Sequence, residues 1–157
     1  MMTTALALYI LALGGWLGGI IFFSFLTTPV VFATLARPDA GKVIHALFSR
    51  YYAFGYVMGI LSAGLAIAFA FTRENKIWWS ATALALVTAV GITFYAGTTI
   101  RAQVDAVRSV TEEANPDPEK KAEFDRLHRL SVTLNGAVIL LDLAAVVLSA
   151  TALEPRV

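Results

Sequence analysis

The chain has 157 residues, a net charge of +1 and no cysteine, and hydrophobic residues make up 58% of it. The lack of cysteine excludes disulfides, thiolate catalysis and Cys-ligated metal centres, and the near-neutral charge gives no reason to expect a nucleic-acid partner. Charged residues are only 15% of the chain, well below the roughly 25% of soluble domains, which is typical of a membrane protein.

Four long apolar runs are the strongest pattern, at about 4–32, 51–71, 77–100 and 130–153. Each reaches the ~20 residues that a helix needs to cross a hydrocarbon core of about 30 Å. Because backbone groups in lipid must be hydrogen-bonded internally, such runs predict helices. We therefore expect one all-α domain, a polytopic four-helix transmembrane bundle. Its predicted spans are about 4–34, 51–72, 77–110 and 118–153, with a short interfacial helix at about 39–50.

The first span contains two overlapping pairs of glycines spaced four residues apart. Small residues at this spacing allow helix backbones to approach closely, so we expect these glycines to pack against neighbouring helices. They are Gly14, Gly15, Gly18 and Gly19.

Pro29 lies near the end of the first span. It cannot donate a hydrogen bond to the carbonyl of Phe25, and its ring clashes with that group. A kink or break is therefore predicted between Phe25 and Thr28. The helix should end by Ala36, before the next proline.

Residues 39–50 predict an amphipathic helix at the membrane surface, with apolar residues on one face and Lys42 and His45 on another. This helix runs into the second span, where Gly55 and Gly59 provide a second close-packing face.

The last two spans predict a helical hairpin that protrudes from the membrane. Helical spacing continues beyond the third apolar run into charged sequence. Asp117 is predicted to cap the next helix, with Pro118 in its first position. From Glu119 to Leu153 that helix would be about 50 Å long, roughly 20 Å more than the hydrocarbon core.

Lysine and arginine are unevenly divided between the two sides of the predicted bundle. Nine lie in the 1–2 and 3–4 connections, and three lie on the other side. Since positive residues favour the cytoplasm, we expect both termini outside and both of those connections in the cytoplasm. The 3–4 hairpin carries seven acids against six bases, which predicts a solvated, salt-bridged surface.

A stripe of polar side chains follows one side of the fourth span, because its members are three, four and seven residues apart. Asp142 lies near mid-membrane, where an acid is costly and normally faces a protein interior or a watery cavity. Two roles stay open for it: a hydrogen bond that fixes helix packing, or a place in an ion or proton pathway. By depth, its expected neighbours are Thr88, Thr93 and Asn135. The stripe consists of His128, Ser131, Asn135, Asp142 and Ser149.

The two histidines, His45 and His128, suggest a haem alternative. Four-helix membrane bundles can hold haem between two imidazoles, and the expected topology puts both histidines on one side. However, His45 shares its helical face with Lys42 and Ser49, which points it toward water or headgroups. We therefore predict no cofactor, with haem b on His45 and His128 as the alternative.

Several strings in the chain resemble the transmembrane protein 205-like family, a four-helix integral-membrane domain of unknown function. The resemblance covers nearly the whole chain, and one departure is Ser49, where the family pattern has proline. It implies the fold and a membrane location but supplies no catalytic residue. The strings are Gly15-Trp16, Pro29-Val-Val-Phe32, Ala40-Gly-Lys-Val43, Phe48-Ser-Arg-Tyr-Tyr52 and Arg126-Leu-His-Arg-Leu-Ser-Val-Thr-Leu-Asn135.

No catalytic residues are predicted. Ser131 is one turn from His128, but Asp142 lies about 20 Å further along the helix, so they cannot form a triad. We expect a non-enzymatic helix-packing module or an accessory subunit of a membrane assembly. Its expected partners are the lipid bilayer and further copies of itself or a larger membrane complex. The alternatives are an ion- or solute-handling protein that uses the polar stripe, and a haem-binding redox protein.

Overall fold

A computed structural model describes residues 2–108 and 117–154. Within those ranges the structure is helical and contains no strand. Four helical rods are long and apolar enough to cross a membrane, which confirms the predicted four-helix membrane bundle. The rods are Thr3–Thr34, Arg37–Thr72, Lys76–Val107 and Pro118–Leu153.

The first rod comprises α1 (Met2–Ile21), a π-helical segment (Phe22–Thr27) and α2 (Thr28–Thr34). The first backbone N–H after the π segment bonds five residues back, to the carbonyl of Phe23. The π segment ends two residues before Pro29, whose missing N–H disturbs the regular α-helical ladder in the preceding turn. The helix thus changes geometry at the predicted position, but it continues instead of breaking.

The second rod is the single helix α3, Arg37–Thr72. Residues 39–50, which were predicted as an interfacial helix running into the second span, form the first third of α3, and no boundary follows Arg50. The physical reason is that the sequence from Asp39 to Thr72 contains no proline. An amphipathic first third can also be buried by neighbouring helices instead of lying on a membrane surface, and Ala40 and Ile44 are buried here.

The third rod comprises α4 (Lys76–Tyr95), a second π-helical segment (Ala96–Ile100) and α5 (Arg101–Val107). The fourth rod is α6 (Pro118–Leu153). The side chain of Asp117 accepts a hydrogen bond from the backbone N–H at position 119, at 2.9 Å, so the predicted cap is confirmed. Most of the predicted turn at 111–118 falls outside the described residues.

The helices pack so that α4 contacts both α3 and α6, while α1 lies mainly on α3. We call the end of the bundle that holds the 35–36 connection and the start of α6 the hairpin end. The opposite end, with the 73–75 connection and the last turn of α6, is the terminal end. There the amide nitrogen of Asn75 donates to the carbonyl oxygen of Ala152 at 2.8 Å, which ties the 73–75 connection to α6.

Glycines allow the closest contact between α1 and α3. The Trp16 indole is fully buried and lies against Gly55 and Gly59. A Cβ at Gly59 would lie 2.7 Å from Cη2 of Trp16, a distance that real side chains do not tolerate. On the α1 side, a Cβ at Gly19 would lie 2.8 Å from the ring of Phe54. The glycine faces of these two helices therefore interlock.

The other glycines of the first span differ in their surroundings. Gly15 lies in ordinary contact range of Phe54 and Met58. By contrast, Gly14 and Gly18 are exposed and have no atom within 4 Å of an added Cβ. These two face away from the bundle.

Candidate functional site

The polar stripe of α6 changes its surroundings along the helix. Asp142 and Ser149 are buried in the bundle, Asn135 and Ser131 are half-buried, and His128 is exposed at the hairpin end. The membrane half of the stripe therefore faces inward, whereas its first member does not.

Asn135 joins three rods through its side-chain amide. The hydroxyl of Tyr51, on α3, donates to Oδ1 of Asn135 at 2.5 Å. Nδ2 of Asn135 in turn donates to Oγ of Ser24 at 2.8 Å. Ser24 lies in the first π segment, and the preceding ring, Phe23, stacks on Tyr51 with 4.5 Å between centroids. The sequence pattern did not single out Ser24, although one serine inside a phenylalanine-rich span is a usable signal.

A small cavity of about 20 Å³ lies beside this cluster. Such a volume is enough for one water molecule. Asn135, Tyr51 and Thr93 are polar residues in its wall, and Val138 is also in its wall. Since Val138 is one helical turn before Asp142, the cavity comes within one turn of the acid along α6.

Asp142 is 0% exposed, and neither of its carboxyl oxygens has a hydrogen-bond partner among the described residues. An unpaired ionised carboxylate in such surroundings is strongly disfavoured. The hydroxyls of Tyr9 and Tyr51 lie within electrostatic range of the carboxyl. Tyr9 is itself almost completely buried.

The expected neighbours of Asp142 on the third rod divide into two cases. Thr93 is buried, donates to the carbonyl oxygen of Ala89 at 2.8 Å and lines the small cavity. Thr88 is exposed and donates to the carbonyl oxygen of Leu84, so it is not part of the polar interior. Thr88 lies on the face of α4 that points away from the bundle.

Beyond Asp142, toward the terminal end, Ser149 lies close to the hydroxyl of Tyr9 but donates to the carbonyl oxygen of Val146 at 3.0 Å. The Tyr9 ring packs edge-to-face on Trp79 and Phe69. The interior toward the terminal end is therefore largely aromatic.

A cleft of about 640 Å³ opens at the hairpin end between the rods. Basic side chains line it on three rods, and two acids and both histidines are also in its wall. The basic residues are Arg37, Arg101, Arg108 and Lys121, the acids are Asp105 and Asp125, and the histidines are His45 and His128.

The acids of the cleft are already paired. Nδ1 of His45 lies 3.0 Å from Oδ1 of Asp105, and Nε of Arg101 lies 3.8 Å from the other oxygen of that carboxylate. Arg101 also donates to Oγ of Ser49 at 2.7 Å. Asp125 accepts a hydrogen bond from Lys121 at 2.8 Å. These contacts link α5 to α3 and give each acid a basic or histidine partner.

The two histidines line the same cleft but contact different side chains. His45 was predicted to face water or headgroups. Its side chain is 35% exposed, and its Nδ1 faces Asp105 of α5. The imidazole of His128 stacks parallel on Phe124, with 6.2 Å between centroids. Among the described residues there is no group of three or more histidine and acidic side chains that would hold a metal ion.

Fold and site together define a polytopic helical membrane protein with a buried acid and a charged cleft at one end. The chain belongs to the family described as a domain of unknown function, DUF4149, whose model matches residues 11–109. The match does not confirm the transmembrane protein 205-like resemblance. It covers most of the first rod, all of α3 and the third rod, whereas α6 and its polar stripe lie outside it. No curated protein and no solved structure matches the chain.

Proposed function

We propose that this protein is a small, non-enzymatic, ion-handling membrane protein in which Asp142 takes up and releases a proton inside the bundle. The observation that carries the proposal is the state of its carboxyl, which is 0% exposed with both oxygens unpartnered among the described residues. If Asp142 only fixed helix packing, its carboxyl would be expected to hydrogen-bond across helices.

A route for the proton is supported from the hairpin end. Ser131 and Tyr52 line the cleft, and their hydroxyls lie next to each other. Tyr52 also borders the water-sized cavity beside Asn135, and that cavity reaches Val138. Hydroxyl and amide groups with one water site thus lead to within one helical turn of Asp142. Intramembrane acids reached by such groups typically mark proton pathways.

We place the hairpin end in the cytoplasm and both termini outside. The lysine and arginine excess supports this orientation, since most of those residues lie at the hairpin end. Proton exchange with Asp142 would then occur from the cytoplasmic side, through the cleft.

Reconstitution tests the proposal. Liposomes that contain the purified protein and an internal pH-sensitive dye are placed under a potassium-diffusion potential. We expect faster proton flux than in empty liposomes, and flux at the empty-liposome level for Asp142→Asn. Asp39→Asn is the matched control, because Asp39 is an exposed acid that is paired with Lys42 at 3.4 Å and lines neither the cleft nor the small cavity. Wild-type flux equal to that of empty liposomes, or retained flux in Asp142→Asn, contradicts the proposal.

A second candidate function is that of a packing subunit in a larger assembly or homo-oligomer. The open face of α1 at Gly14 and Gly18 favours it, since that face has small residues without neighbours. Gly18→Leu would then lower the oligomer mass measured by light scattering in mild detergent. Gly64→Leu is the control, because Gly64 is equally open but lies on α3. Identical masses for the wild type and both variants would exclude the α1 face as the contact.

A further inference from the structure

We infer that the cleft at the hairpin end binds an anionic phospholipid, with the phosphate among its basic side chains and the glycerol and upper acyl region against its aromatic wall. This inference depends on the cleft alone and not on Asp142. The cleft shares Ser131 and Tyr52 with the proposed proton route, but none of its basic side chains belongs to that route, so lipid binding and proton flux can be tested separately.

Charge selects the headgroup. Four basic residues line the cleft against two acids, and both acids already have partners within it. Among the described residues Arg37 has no ion-pair partner, and it stands exposed at the start of α3. The guanidinium of Arg37 can therefore donate to a phosphate, whereas a zwitterionic headgroup would bring a competing positive charge.

Apolar surface selects the rest of the ligand. Phe32, Phe48 and Phe124 line the cleft together with Ile44 and Val104. Phe32 keeps 47% of its surface exposed, which is far more than a side chain buried within the bundle. A soluble inorganic anion would make no apolar contact with this wall, and a simple hydrocarbon would make no ionic contact with the basic residues. A molecule that is charged at one end and apolar at the other fits both.

The position and the volume of the cleft favour a membrane lipid as its ligand. The cleft lies where the apolar run of α6, which begins at about Leu130, gives way to charged sequence, so it straddles the membrane interface by the predicted topology. Basic pockets between transmembrane helices at that level bind acidic headgroups. The volume of about 640 Å³ falls within the range of small-ligand sites.

The test is lipid binding to the purified full-length protein in detergent, measured by native mass spectrometry. Phosphatidylglycerol and phosphatidylcholine with identical acyl chains are the two probes. We expect selective retention of phosphatidylglycerol, and about tenfold weaker binding of it in Arg37→Gln and in Lys121→Gln. Arg50→Gln is the matched control, because Arg50 is exposed on α3 and donates to the carbonyl oxygen of Ala46 without lining the cleft.

Several results would overturn the inference. Equal retention of the two lipids would show that the cleft does not distinguish their headgroups. An equal loss of phosphatidylglycerol binding in Arg50→Gln would show only a general attraction to the basic surface. Displacement of the lipid by millimolar inorganic phosphate points to a soluble anion instead. A Soret band after haem-replete expression that disappears in His45→Ala or His128→Ala assigns the cleft to haem. Circular dichroism and gel filtration of Arg37→Gln establish that a binding loss is not a folding loss, since Arg37 is exposed.

Discussion

The hydroxyl of Tyr51 lies 2.5 Å from Oδ1 of Asn135 and links α3 to α6 in the middle of the bundle. The link continues to Ser24 through the amide nitrogen of Asn135, so one side chain holds three of the four rods together. Its position next to the water-sized cavity connects packing with the polar route toward Asp142.

A double-mutant cycle should measure that link. We expect Tyr51→Phe to lower the free energy of unfolding by about 1 kcal/mol, as one interhelical hydrogen bond is lost. Asn135→Ala should cost more, because it leaves both Tyr51 and Ser24 without their partner. The coupling energy between the two changes should fall at about 0.5–2 kcal/mol in denaturant unfolding in detergent. Strict additivity would mean that the two side chains do not share a bond in solution.

The buried acid predicts an infrared signature. With no cation or donor paired to it in the described part of the chain, Asp142 should carry a proton at neutral pH. A carbonyl stretching band of a protonated carboxyl is then expected in the wild type, and it should disappear in Asp142→Asn. The band should survive in Asp39→Asn, since Asp39 is exposed. Spectra of wild type and Asp142→Asn that are identical in this region would show that the carboxyl is ionised.

The close contact of Gly59 with Trp16 predicts that a larger side chain destabilises the protein at position 59 but not at position 64. Gly59→Ala would place a methyl group 2.7 Å from Trp16 and 2.9 Å from Val90. Overpacking of this kind typically lowers the free energy of unfolding by about 1–3 kcal/mol. Gly64→Ala, on the same helix with open space around it, should be neutral or slightly stabilising. Equal stabilities of the two variants would contradict the tight contact.

The cap of α6 predicts a local effect. Asp117→Ala removes the acceptor for the backbone N–H at position 119, and such losses typically cost about 1 kcal/mol. Hydrogen exchange should therefore quicken in the first turns of α6 while the membrane core stays protected. Asp117→Asn retains a capping oxygen and should stay close to the wild type. Uniform changes along α6 would argue against a purely local role.

Membrane orientation can be tested with single cysteines, because the chain has none of its own. Lys76→Cys marks the terminal end and Lys120→Cys marks the hairpin end, and both positions are exposed. A membrane-impermeant maleimide should label Lys76→Cys in intact cells and label Lys120→Cys only after permeabilisation. The reverse pattern would invert the proposed orientation and move the cleft to the outside.

The sequence was informative where a local rule decides the outcome. Hydropathy and length predict the four rods, and the cost of an acid in lipid predicts that Asp142 turns inward. Asp117 followed by proline predicts the start of α6 from capping chemistry alone. These features depend on a residue and its immediate neighbours, or on the solvent.

The remaining features depend on residues that are distant in the chain. Periodicity showed which residues share a face with His45, but not that Asp105 would cover it from α5. The cleft exists only because several rods converge at the hairpin end, and no single segment encodes it. The second π segment has a weak local signal in Gly97, whose added Cβ would collide with the hydroxyl of Tyr56. The need for that close contact is visible only once α3 and α4 are packed.

Among the described residues, Tyr52 is the one side chain that borders both the small cavity and the cleft. Its aromatic ring therefore separates the open cleft at the hairpin end from the small cavity beside Asn135. Passage between the two spaces would then depend on the torsion angles of one side chain, which change on the timescale of side-chain motion instead of that of helix movement.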